Sequence, residues 1–142
     1  FWAEDFFAVF PKDDAHAKLE TINADELATA NLMLLGEGHC LTDQTLSVCH
    51  FDRAQMKSSF SDASLNTLIQ MALANMGTTL VPEMALDQLH LQNQNAVAIP
   101  LAEKGPHRHI AFVTRLNYAR VDDVNLLGKL FKQAFEDAAN KE

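Results

Sequence analysis

Cys40 and Cys49 are the chain's only thiols, nine residues apart. The first sits in Gly36-Glu37-Gly38-His39-Cys40-Leu41-Thr42-Asp43-Gln44, with His39 directly before it and Asp43 one helical turn after. A cysteine does chemistry as thiolate, and unpaired N–H groups and the positive end of the helix dipole favour that form at a helix N-terminus. Oxidation of a thiolate gives sulfenic acid, which a second thiol condenses with to form a disulfide. Cys49 is the candidate for that second role. If residues 40 to 49 form one helix, their Cα atoms stand roughly 13 Å apart, on opposite faces. A disulfide needs about 4.4–6.8 Å, so the pair closes only if the helix breaks. Oxidation is then a conformational switch.

The elements that must hold this stretch follow from periodicity. Leu32-Met33-Leu34-Leu35 reads as a buried strand that feeds the two-glycine turn, and an amphipathic helix carrying Cys40 follows. Before it, Glu4 to Pro11 reads as a buried strand stopped by proline, so close to the first residue that the chain reads as a fragment. Asn23 is placed to cap a helix over 24–30, with Asp25 and Glu26 in its first turn. Ser61 to Ser64 offers caps for a helix with Leu65, Leu68, Ile69, Ala72 and Met76 on one face, ended by Gly77. Thr78–Val81 is expected as a strand, which with the strand over 31–35 and the intervening helix makes a parallel crossover; Pro82–Leu86 is expected as a helical turn, Asn93–Asn95 as a turn and Ala96–Leu101 as a strand. A long strand over His107–Arg115 and a helix from Val121 complete the α/β chain. That helix carries a stripe of Val121, Val124, Leu127, Leu130, Phe131, Ala134, Phe135 and Ala138.

The 142 residues are 48% apolar, enough for one domain or two small lobes. No apolar run approaches the ~20 residues of a membrane span, and no signal peptide opens the chain, so a cytoplasmic, membrane-free protein is expected. Eleven Lys and Arg against nineteen Asp and Glu give a net charge of -8, the wrong sign for a nucleic-acid footprint. Two cysteines are too few for a secreted disulfide scaffold. His39-Cys40 and Cys49-His50 have the ligand types for zinc, but adjacent residues diverge on a helix and the short hairpin spacing of structural sites is missing, so neither metal nor cofactor is expected.

The assembled residues resemble the OxyR group, the hydrogen-peroxide sensors among the LysR-type transcriptional regulators. The resemblance is carried by Gly38-His39-Cys40-Leu41 with Asp43-Gln44 and Cys49, by Ser64-Leu65, Thr67-Leu68, Met71, Gly77, Thr79-Leu80 and Pro82, and by Arg108 after Pro106. It spans most of the chain from Leu32 to Arg115. It implies the periplasmic-binding-protein-like type 2 fold of LysR-type effector domains. Residues 7–109 would form one nearly complete lobe with the redox cysteines, and residues 1–6 and 110–142 part of the other. The family's DNA-binding winged helix-turn-helix is absent from this chain.

The resemblance also implies roles. Cys40 is the peroxidatic thiol and Cys49 the resolving thiol. Gly38, His39 and Arg108 form the peroxide pocket with Cys40, His39 as a donor and the guanidinium polarising the departing hydroxide. Asp43 relays a proton or orders water. The implied partners are hydrogen peroxide, further copies of the chain (a dimer of regulatory domains, a tetramer in the full-length protein), a glutaredoxin- or thioredoxin-like thiol reductant, and DNA only through the missing domain. Bland readings stand beside these: Cys40 and Cys49 as core packing, His39 as a helix-cap residue, Arg108 and Asp43 as solvated surface. A LysR-type effector domain for a small metabolite, with incidental cysteines, is the alternative function. A thiol peroxidase would use the same chemistry but needs turnover with a dedicated reductant, so a stoichiometric sensor rather than an enzyme is expected.

Overall fold

The structure is a computed structural model that describes residues 1–36, 38–52, 59–60, 63–92 and 95–139. The elements in order are β1 (Trp2–Glu4), β2 (Phe6–Pro11), α1 (Ala24–Thr29), β3 (Leu34–Leu35), α2 (Cys40–Val48), β4 (Ser59–Phe60), α3 (Leu65–Leu73), β5 (Thr79–Pro82), α4 (Leu86–Gln92), β6 (Ala96–Pro100), β7 (Arg108–Ile110) and α5 (Val121–Ala139). They fall into two compact units, Glu4–His107 and a smaller one of Phe1–Ala3 with Arg108–Glu142.

In the larger unit β2 lies between β5 and β6 and is antiparallel to both, Ala8 facing Leu80 on one side and Ile99 on the other. The segment is apolar at every position from Phe6 to Phe10, as a strand covered on both faces must be. Phe6, Ala8 and Phe10 enter one core with Ile22, Leu27, Leu34 and Cys49. Val9 enters the other with Ile69, Val81 and Leu89. The period of two thus splits one strand between two cores. The expected parallel relation of residues 31–35 and 78–81 is present as the isolated Leu32–Thr78 bridge, while β5 and β6 each bond to β2, which stands between them.

Helix α1 forms where expected, and its start is doubly bonded. The Asn23 side chain accepts the Glu26 N–H at 3.0 Å while a Glu26 carboxylate oxygen accepts the Asn23 N–H at 2.9 Å. Ser64 caps α3 by accepting the Thr67 N–H. The other cap candidates Ser61 and Asp62, and the turn residues Asn93 and Gln94, lie outside the described residues.

Gly77 does not end α3. The helix stops at Leu73 and the chain turns at Asn75 with φ of 58°, leaving Met76 outside the helix and exposed. Gly77 is needed four residues past the helix end for a different reason: its φ is 151° and a Cβ there would collide with the Asn31 carbonyl. The close approach lets Thr78 bridge to Leu32, and Met33 N–H donates to the Thr78 carbonyl at 2.8 Å.

In the smaller unit β7 is much shorter than the strand expected over 107–115. It ends at Ile110 because its partner β1 is only three residues long, and Phe112 turns away to stack on Phe1 at 4.8 Å between ring centroids. Helix α5 begins at Val121 as expected, and its stripe meets that cluster through Phe131 and Phe135, the latter 4.7 Å from Trp2. Among the described residues no helix is long and apolar enough to cross a membrane.

Asn23→Ala is expected to lower stability by about 1 kcal/mol, the usual worth of an N-cap side chain. A urea midpoint unchanged from wild type would show that α1 holds its place without the box.

Candidate functional site

The buried pair Leu34-Leu35 delivers the chain to Gly36, itself buried, and then outward. Gly38 makes the turn with φ of 86°, a conformation L side chains rarely adopt. His39 is extended at the N-cap position but makes no side-chain cap bond. Its carbonyl instead accepts the Thr42 N–H at 3.0 Å. Cys40 is therefore the first residue of α2, exposed to solvent, with Asp43 exposed in the same first turn. Gly38, His39, Cys40 and Asp43 come together at one helix start. Glu37 lies outside the described residues.

The other end of α2 is a different environment. Cys49 is the C-cap residue, its N–H donating to the Thr45 carbonyl, and His50 turns the chain away with φ of 54°. The thiol packs in the core beside Ile22, Leu27 and Leu101 with 4% of its surface exposed. Burial, reinforced by the Glu103 carboxylate, pushes it up to about 12, so Cys49 is a thiol at any physiological pH. Both cysteines are free, one at each end of a single helix. An unbroken helix of that length separates their Cα atoms by roughly 13 Å, far beyond disulfide reach.

Arg108 opens β7, is half-buried and belongs to the smaller unit. No cluster of three or more His, Cys, Asp or Glu residues that could hold a metal occurs among the described residues.

Two residues that sequence reasoning passed over stand out. His107, expected only as the first residue of a strand, is buried and bonded through both ring nitrogens. Nδ1 accepts the Phe6 N–H at 2.9 Å and Nε2 faces the Glu103 carbonyl at 3.0 Å. Since Nδ1 accepts, Nε2 carries the proton. Glu103 was read as a loop residue; one of its carboxylate oxygens accepts the Ala24 N–H of α1 at 2.8 Å across 79 residues of sequence. A glutamate next to a lysine gives no hint of such a contact. For His107 the cue was Gly105-Pro106, a turn that aims the next side chain inward. The turn has a cis Gly105–Pro106 bond and brings Gly105 against the Asp5 carboxylate, which a Cβ there would have to displace.

Residues 1–136 match the family model described as the LysR substrate binding domain. The chain belongs to that family. This LysR domain is 35% identical over 112 residues to the HTH-type transcriptional regulator EstR of Acinetobacter baylyi, covering 79% of this chain and 37% of that protein. It is 32% identical over 135 residues to a probable hydrogen peroxide-inducible genes activator of Streptomyces viridosporus, covering 94% of this chain and 43% of the relative. Among solved structures, the reduced form of the regulatory domain of OxyR2 from Vibrio vulnificus superimposes with a TM-score of 0.72 at 35% identity, covering 87% of this chain and 58% of that one. The chain thus spans less than half the length of these curated relatives.

The raised Cys49 thiol has a sign that can be measured. An unfolded chain releases this proton near 9.0 while the folded one keeps it to about 12. Stability from this group is complete below about pH 9 and declines as pH rises toward 12, by at most about 1.4 kcal/mol per pH unit. Urea unfolding between pH 8 and 11 is expected to show a steeper decline for wild type than for Cys49→Ser. Parallel curves would place the thiol in contact with water.

Proposed function

We propose that this chain is the redox-sensing regulatory domain of a peroxide-responsive LysR-type transcription factor. The observation that carries the proposal is the placement of its two thiols: Cys40 exposed at the start of α2, Cys49 buried at the end of the same helix. The names of its peroxide-inducible and OxyR2 relatives support it.

Chemically, the Cys40 thiolate attacks one peroxide oxygen and the O–O bond breaks, giving Cys40 sulfenic acid and hydroxide. Arg108 and His39 assist departure of the hydroxide, and Gly38 leaves the approach to the sulfur open. The Cys49 thiol then attacks the sulfenic sulfur, a Cys40–Cys49 disulfide forms, and the displaced oxygen leaves as water with the thiol proton, which Asp43 helps to pass. The second step requires α2 to unwind, because the helix itself holds the sulfurs apart. The loop closed by the bond is short, so the crosslink gains little from chain entropy and acts through geometry. Its consequence is a remodelled segment from Cys40 to about Phe60 on the surface that pairs with a second copy. The switched protein activates antioxidant genes, binding DNA through a separate domain as a symmetric oligomer. A thiol reductant resets the bond, so peroxide is sensed stoichiometrically rather than turned over.

The family model, described as a substrate binding domain, supports a second reading, an effector domain for a small metabolite with both cysteines incidental. One equivalent of hydrogen peroxide separates the two. The sensor is expected to lose both free thiols within seconds and to yield a Cys40–Cys49 peptide by mass spectrometry, and Cys49→Ser to accumulate sulfenic acid instead. Arg108→Ala and His39→Ala are expected to slow thiol loss at neutral pH. An unreactive Cys40 favours the metabolite reading.

A further inference from the structure

We propose that Thr45 is a destabilising residue built into α2, whose buried hydroxyl sets how readily the helix gives way. The proposal rests on reading α2 as the redox switch. Thr42 and Thr45 are three residues apart on the inward face of the helix, and both are buried. Their hydroxyls fare differently. That of Thr42 donates to the Leu35 carbonyl at 3.0 Å, tying the helix to β3. That of Thr45, on a residue with 0% exposure, has no hydrogen-bond partner among the described residues, and neither has the buried side-chain oxygen of Gln44, the residue before it. Beneath the two threonines is a cavity of about 10 Å³ walled by Leu35, Leu41, Thr42, Thr45, Leu68 and Thr79.

A hydroxyl shut away from water with no partner disfavours the folded arrangement by a factor of about ten or more. Once α2 unwinds, the same hydroxyl meets water and the penalty vanishes. The reduced helix is thereby held with a bias toward opening, and the Cys40–Cys49 disulfide is favoured by the same factor. Val is close to Thr in shape and in helix propensity, so Thr45→Val removes the penalty with little other change. Thr42→Val makes the opposite change, because it leaves the Leu35 carbonyl buried without its donor.

The test is the equilibrium of the intact chain with reduced and oxidised glutathione, in which two thiols reduce the protein disulfide to its dithiol and form one glutathione disulfide. Thr45→Val is expected to shift the equilibrium about tenfold toward the dithiol, about 30 mV for this two-electron couple. Thr42→Val should shift it the other way. Hydrogen exchange of the amides of residues 42–48 in reduced protein supplies an independent readout, slower in Thr45→Val and faster in Thr42→Val. If wild type forms no Cys40–Cys49 disulfide, the switch reading fails, and hydrogen exchange alone decides the role of Thr45. Unchanged exchange in Thr45→Val means that a water in the cavity already satisfies the hydroxyl, and overturns the proposal. Shifts of the same sign in both variants overturn it as well.

Discussion

The burial of β2 on both faces is the constraint on which the larger unit depends. Alternate side chains of one six-residue strand supply two cores, and both of its edges are bonded. A slip of one residue would send Phe6, Ala8 and Phe10 into the space shaped for Val9, so the register admits no compromise. Thr78 adds a lock by donating its hydroxyl to the Val9 carbonyl at 3.1 Å. Everything that presents Cys40 follows from this frame. β3 is buried against the same core, and the end of α2 enters that core through Cys49.

Where local chemistry decides the structure, the sequence was readable. Asn23 with Glu26, and Ser64 before an apolar stripe, state where helices begin, and the residues supply their own bonds. The Cys40 helix is of the same kind, since a glycine turn and the spacing of its polar residues predict a helix start at the thiol. Readability failed where a partner far along the chain decides. The His107–Arg115 stretch has the composition of a long strand, but strand length is set by the partner, and β1 offers three residues. Gly77 looked like a helix stop; its true requirement is the Asn31 backbone, forty-six positions earlier. His107 accepts from Phe6 and the Glu103 carboxylate from Ala24, and no window of sequence contains both partners of either bond. At the candidate site, the residues joined along one helix were legible. Thr45 was not, because an unpaired hydroxyl is a property of packing rather than of spacing.

The two glycine-rich and proline-containing turns do comparable work by different means. Gly38 has open space around it and is required by its backbone angle alone. Gly105 has the Asp5 carboxylate where a side chain would stand, so any larger residue there would have to displace that carboxylate. The first therefore governs how the chain enters α2, and the second how closely the segment before His107 can lie on the start of β2.

The two ends of α2 impose a sequence in time. An oxidant arriving from solvent meets Cys40, and Cys49, sunk in the core as a neutral thiol, is shielded both by packing and by its protonation. In the switch proposed above, the pair is a one-way gate: the inner sulfur acts only after an event at the outer one has opened the helix. Such an arrangement discriminates against reagents that modify thiols indiscriminately. A bulky electrophile can occupy Cys40, but it leaves no oxygen on the sulfur to be expelled as water and so offers no route to the crosslink.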